Sequence, residues 1–149
     1  MKNFVLIPDS FKGTMSSECV CDIMEKIIQK HIPEADIMSI PVADGGEGTV
    51  DAILKILGGR KKFLMVKGPY FEEISSFYGI LPNNTAVIEM AAASGLPLVG
   101  DNLHAELTTT YGVGQLIENA VQSGCTKILL GLGGSATNDG GCGMAAALG

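Results

Sequence analysis

Four short stretches gather residue types that do chemistry on anionic ligands. The densest is "GLGGSATNDGG" at 131–141, directly after the apolar run "KILL". Gly131-x-Gly133-x-x-Ala136 satisfies the dinucleotide fingerprint G-x-G-x-x-G/A, in which small residues let backbone amides cradle a pyrophosphate. The acid that completes that fingerprint about 20 residues further on would fall past the last residue. Thr137, Asn138, Asp139 and two more glycines also delay the following helix. Ser135, Thr137 and Asn138 supply hydroxyl and amide donors, and Asp139 supplies a base or a metal ligand. That mixture suits phosphate and polyol recognition better than hydride transfer. A Walker A loop, G-x-x-x-x-G-K-[ST], is absent from the sequence.

The other three stretches each admit a functional and a structural reading. In "PDSFKG" (8–13), Asp9 and Ser10 follow an apolar run, where open α/β sheets place ligands, and Lys12 can meet an anion. The alternative is a capped loop with a solvated lysine. In "VADGGEGT" (42–49), Asp44 and Glu47 set two carboxylates beside Gly45 and Gly46. Such carboxylates suit Mg²⁺, which prefers hard oxygen ligands and retains waters. Residues 47–49 should open a helix whose N–H groups favour phosphate or carboxylate, or whose acids simply complement its dipole. In "VIEMAAASG" (87–95), Glu89 ends an apolar strand. A lone carboxylate there is costly to bury unless paired, so it belongs to a salt bridge or faces a cleft.

The elements that must position these residues alternate β and α. "NFVLI" (3–7) reads as a buried parallel strand ended by Pro8. Ser16 can cap a helix with Val20, Ile23, Met24, Ile27 and Ile28 on one face, stopped by Pro33. "ADIMSIPV" (35–42) is the next strand, and a second helix follows with Val50, Ile53, Leu54 and Leu57 inward until Gly58 and Gly59. Runs at 61–68, 74–80 and 85–90 are separated by turn residues, as in an antiparallel meander. A helix with Val113, Leu116, Ile117, Ala120 and Val121 inward then leads through Gly124 to the strand "TKILL". Met144 to Leu148 form the first turns of a helix expected to pack on that strand.

The fold class is therefore α/β. The expected division is 1–60 for the first part of a parallel-sheet domain and 61–149 for the start of a second α/β domain. The 149 residues read as the front part of something longer. A 46% hydrophobic content is ample for a core, and ten Lys+Arg against sixteen Asp+Glu give a net charge of −6. That balance argues against broad nucleic-acid or anionic-membrane binding, which need clustered cations. No apolar run approaches the roughly 20 residues of a membrane span, and the amino-terminal run is too short for a secretion signal. The expected location is the cytoplasm. Cys19, Cys21, Cys125 and Cys142 are spaced as isolated reduced cysteines, and His31 and His104 are isolated too.

Five motifs together carry a family resemblance: "PDSFKG" (8–13), "PVADGGEGT" (41–49), "VIEMAAASGL" (87–96), "TTTYGVGQLI" (108–117) and "GLGGSATNDGG" (131–141). In this order and spacing the chain resembles the bacterial glycerate kinases. The resemblance implies a flavodoxin-like α/β domain interrupted by an inserted second α/β domain, with the site in the cleft between them. It also implies transfer of the ATP γ-phosphate to D-glycerate with Mg²⁺, giving a phosphoglycerate, usually the 2-phosphate. On that footing Gly131, Gly133, Gly134 and Ser135 donate to a phosphate or to the glycerate carboxylate. Asp44 and Glu47 hold Mg²⁺, Lys12 offsets negative charge, and Asp139 or Asp9 accepts the hydroxyl proton. Glycerate kinases of this kind are considerably longer. Two other readings are a nucleotide-dependent oxidoreductase built on the G-x-G-x-x-A turn and an inactive remnant or ligand-binding piece.

Overall fold

The computed structural model describes residues 2–11 and 14–149, so Lys12 lies outside the described residues. The chain packs as two compact units, Met1–Asp44 and Gly45–Gly149.

The first unit is a β-α-β crossover. Strands β1 (Asn3–Leu6) and β2 (Asp36–Ser39) pair in parallel, with Asn3 opposite Asp36 and Leu6 opposite Ser39. Helix α1 (Ser17–His31) joins them, because strands running the same way cannot be linked by a tight hairpin. Ser16 caps the helix as its type predicts, its Oγ accepting the Cys19 N–H at 3.2 Å. Leu6, Val20 and Cys21 are buried. The predicted apolar face is only partly covered: Ile23, Met24 and Ile27 are exposed, as are Val5 and Met38 on the strands. Two strands of four residues cannot cover a helix of fifteen.

The second unit opens with α2 (Thr49–Leu57), followed by β3 (Arg60–Lys67), β4 (Glu73–Ile80) and β5 (Thr85–Glu89). Next come two single-turn helices, α3 (Ala91–Ser94) and α4 (Leu96–Val99), and a 3₁₀ turn over Ala105–Leu107. It closes with α5 (Tyr111–Gln122), β6 (Lys127–Gly131) and α6 (Cys142–Leu148). The sheet order is β3-β4-β5-β6. The first three strands form the antiparallel meander predicted from the turn spacing. β6 then joins parallel to β5, with Thr85 opposite Lys127 and Glu89 opposite Gly131. The local pattern does not reveal that partner, since pairing order is set by tertiary packing.

Helices cover both faces of this sheet. Val87 packs with Val50 and Leu81 on the α2 side, while Ala86 and Ile88 pack with Val113, Leu116 and Ala120 on the α5 side. Being buried on both faces is why β5 reads as a continuous apolar run rather than an alternating one. Tyr78 is fully buried, and its hydroxyl lies 3.0 Å from Asn119 Oδ1 and 3.1 Å from Ser123 Oγ, so the phenol keeps hydrogen-bond partners.

Three sequence expectations are corrected here. α6 packs against α5 rather than on the preceding strand. Gly114 permits this approach: a Cβ there would stand 2.5 Å from the Met144 carbonyl oxygen and 2.6 Å from Ala147 Cβ. Val121 and Leu57, read as inward, are exposed, each in the last turn of its helix.

Gly112 fixes how closely α5 approaches β3, because a Cβ on it would collide with the Lys67 carbonyl oxygen. Alanine is the better helix former by about 1 kcal/mol, yet Gly112→Ala is expected to destabilise by about 1–3 kcal/mol through overpacking. Urea unfolding decides the sign. An unchanged or raised midpoint would mean that α5 can shift away from the strand.

Candidate active-site loops

Parallel pairing brings the carboxyl ends of β1 and β2 to one edge of the first unit, and a loop leaves each. Asp9 and Ser10 follow β1, and Asp44 follows β2; both carboxylates are exposed. Asp9 Oδ1 accepts the Ser10 N–H at 2.7 Å. Ser17, which sequence reasoning passed over, ties the two loops together. Its buried hydroxyl donates to the Pro8 carbonyl at 2.6 Å and accepts the Val42 N–H at 3.0 Å. The available signal was a second hydroxyl directly after the cap Ser16, in a helix turn where serine bonds readily to nearby backbone.

In the second unit, the loop before α2 and the loop after β6 meet backbone to backbone. The Gly133 N–H donates to the Gly45 carbonyl at 3.0 Å. A Cβ on Gly133 would stand 2.6 Å from Gly46 N, and one on Gly131 would collide with the Gly45 carbonyl oxygen. Gly134 has φ +71°, and Glu47 Oε1 lies 3.8 Å from where its Cβ would be. On its other side the loop is pinned to residues 94–96: Leu96 N–H donates to Gly134 O at 3.0 Å and Ala136 N–H to Ser94 O at 2.9 Å. The Ser135 and Thr137 hydroxyls are 2.8 Å apart. The structure thus gathers Gly45, Gly46, Glu47, Gly131, Gly133 and Gly134, with Ser135 and Thr137 continuing the same loop. Asn138 is exposed beyond them. Asp9, Ser10 and Asp44 belong to the other unit.

Two carboxylates are held by helix amides. Glu89 is 4% exposed, and its Oε2 accepts the Val50 N–H at 3.0 Å from the amino end of α2. The anion expected at that helix start is therefore supplied by the chain itself. Burial raises the Glu89 pKa above the usual 4.5, and the N–H groups of Val50 and Gly48 offset part of the rise. Asp139 serves α6 and α5 together. Its Oδ2 accepts the Thr110 N–H and hydroxyl, both at 2.8 Å, and the Gly143 N–H at 3.0 Å, while Oδ1 accepts the Gly141 N–H at 3.0 Å. Burial alone would raise its pKa, but these donors outweigh it and hold the carboxyl below the usual 3.8. Thr110, the other member sequence reasoning missed, also accepts the Met144 N–H through Oγ1 at 2.9 Å. The run "TTT" was its only trace.

Among the described residues no cluster of three His, Cys, Asp or Glu side chains could hold a metal, and no helix is long and apolar enough to cross a membrane. A cavity of about 230 Å³ adjoins Ser135 and Thr137.

This is a mixed α/β protein in whose second unit the loops before α2 and after β6 meet through glycines. The family model for the glycerate kinase family matches residues 4–149, and the chain belongs to that family. It is 47% identical over 147 residues to the glycerate 2-kinase of Escherichia coli strain K12, covering 97% of this chain and 39% of that protein. It is 46% identical to the glycerate kinase of Bacillus subtilis strain 168, covering 97% of this chain and 38% of that one. A crystal structure from Salmonella typhimurium LT2, provisionally named glycerate kinase 2, matches with a TM-score of 0.79 at 42% identity, over 100% of this chain and 41% of that one. The chain thus spans about 40% of the length of the curated relatives it matches.

The two buried or part-buried carboxylates should show opposite pH signatures. For Glu89, whose folded pKa lies above 4.5, the linked stability is complete below that value and lost as pH rises through the folded pKa. Relative to Glu89→Gln, the unsubstituted chain should gain stability on acidification from neutral pH. For Asp139, whose folded pKa lies below 3.8, the contribution is present above that value and lost as pH falls through the folded pKa. Asp139→Asn should cost about 1–3 kcal/mol near neutral pH by leaving donors unmatched, and less in acid. Urea titrations at several pH values test both, and parallel profiles for the two variants would contradict the assignment.

Proposed function

We propose that this chain forms part of an enzyme that moves the γ-phosphoryl group of ATP, with Mg²⁺, onto a hydroxyl of D-glycerate to give 2-phosphoglycerate. The observation that carries this reading is the backbone contact of the two glycine loops, with the Glu47 carboxylate beside Gly134. Phosphoryl transfer asks little covalent chemistry of a protein and much positioning and charge neutralisation. The backbone of Gly131 and Gly134, with the hydroxyls of Ser135 and Thr137 and the amide of Asn138, binds phosphate oxygens or the glycerate carboxylate, while Gly133, whose N–H is given to the Gly45 carbonyl, holds the loop in place instead of donating to the ligand. Gly45 and Gly46 let a ligand come close to the opposing loop, and Ser10 and Lys12 offer a donor and a positive charge.

Mg²⁺ is bound through one or two carboxylates, substrate oxygens and water rather than by a full protein cage. The Glu47 carboxylate beside the glycine loop fits that habit. Asp44 and Glu47 would hold the ion, which when bound neutralises phosphate charge. Asp9 takes the glycerate hydroxyl proton. Asp139, committed to four hydrogen bonds that join α5 to α6, positions the loop that precedes it. The domain reading is 1–60 for the first part of a flavodoxin-like domain and 61–149 for the start of an inserted one, in a cytoplasmic protein. The 149 residues alone are expected to be inactive, since they span about 40% of the relatives' length.

The test is D-glycerate-dependent ADP release from a polypeptide of the relatives' full length that carries this sequence. Turnover should fall about 100-fold or more in Asp44→Asn, in line with loss of charge stabilisation, and the 149-residue chain should release no appreciable ADP. Normal turnover in Asp44→Asn would overturn the assignment. Hydride transfer with NAD(H) in place of ADP release would favour the oxidoreductase reading instead.

A further inference from the structure

The cavity beside Ser135 and Thr137 reaches past the loop assigned to phosphate above, and the rest of its lining differs in kind from the glycine loops. Leu96, Val99 and Leu103 form apolar wall, with Tyr70 and Asn102 also lining it. Leu96 and Leu103 are 52% and 70% exposed, so this apolar surface is open to a ligand. The walls are held in place by hydrogen bonds. The Tyr70 hydroxyl donates to the Asn102 carbonyl and accepts the His104 N–H at 3.3 Å. The floor is fixed by Leu96 N–H to Gly134 O and by the Thr108 hydroxyl to the Ala136 carbonyl at 2.9 Å.

Charge decides what such a cavity can hold. Among the described residues no lysine or arginine lines it, and the one lining group of these able to become cationic, His104, has its Nδ1 3.0 Å from Glu106 Oε1. A small carboxylate or phosphate would lose its hydration there without gaining a free cation. A flat, uncharged group with a hydrogen-bonding edge suits it instead, using the apolar walls for its faces and Asn102 for its edge. At about 230 Å³ the space is smaller than the roughly 300–1,000 Å³ of pockets that enclose whole drug-sized ligands. It therefore suits one ring system of a larger molecule. Ser135 belongs both to the lining of this cavity and to the loop that begins at Gly131, so the two adjoin at that residue.

We propose that this cavity is the base subsite of a nucleotide: it takes the purine ring, and the phosphates lie along the loop at 131–135. The choice of a nucleotide rests on the kinase reading above, while the placement of its base rests on the cavity.

The experiment titrates adenosine, and separately D-glycerate, into the 149-residue chain while backbone amide shifts are followed by NMR. Adenosine should shift the amides of residues 102–105 and 135–137. Ala105→Trp, at an exposed position on the rim, should weaken adenosine binding at least tenfold. Leu107→Trp, exposed but outside the lining, should leave it unchanged. Absence of adenosine binding at these amides, equal binding by Ala105→Trp, or D-glycerate shifting the same amides would each overturn the proposal. If ADP release fails while adenosine binds here, the kinase reading falls and the subsite stands. If ADP is released while adenosine shifts other amides, the subsite falls and the kinase reading stands.

Discussion

Backbone meeting backbone is the constraint on which the second unit's loops depend. The segment at 45–46 and the segment at 131–133 approach so closely that a Cβ on Gly131 or Gly133 would occupy space already held by Gly45 and Gly46. A hydrogen bond from Gly133 to Gly45 closes the contact. Everything nearby follows from that absence of side chains. The loop after β6 can lie against the loop before α2, Glu47 comes beside Gly134, and the parallel register of β5 with β6 sets Glu89 opposite Gly131. A ligand approaching this region meets amides and carbonyls rather than side-chain bulk.

Two carboxylates then fix the helices that frame the loops. Glu89 lies at the end of a strand buried on both faces, where an unpaired charge would be costly. The amino end of α2 supplies N–H donors and a favourable dipole, so the strand end and the helix start stabilise each other. Asp139 does the same for α6 and links it to Thr110 at the head of α5. The result is an arrangement in which helix amides that could attract an anion are already met by the chain's own acids.

Much of the fold could be read in advance. The cap at Ser16, the glycine stop at Gly58 and the antiparallel meander of three strands all follow from local rules: side-chain capping, positive-φ glycine and turn spacing. The glycine-rich stretches at 45–48 and 131–141 stood out for the same reason, since few other roles require so many residues without a Cβ. Less legible were contacts between segments far apart in sequence. Ser17 bridging Pro8 and Val42, Thr110 shared between Asp139 and Met144, and the cavity under Tyr70 and Leu103 all join residues from different elements. Nothing in the local pattern of any one segment marks such a partner.

The sequence by itself determined the α/β class, the order of most elements and the loops in which glycine, hydroxyl and carboxylate groups concentrate, because capping, periodicity and turn chemistry act within a few residues. Only the tertiary structure decided that β6 pairs beside β5, that α6 leans on α5 through Gly114, and that Glu89 and Asp139 are bound to helix amides. The physical reason is the same in each case. A hydrogen bond or a close approach between distant segments depends on which surfaces the folded chain buries together, and the residues at either end carry no local sign of which partner they will meet.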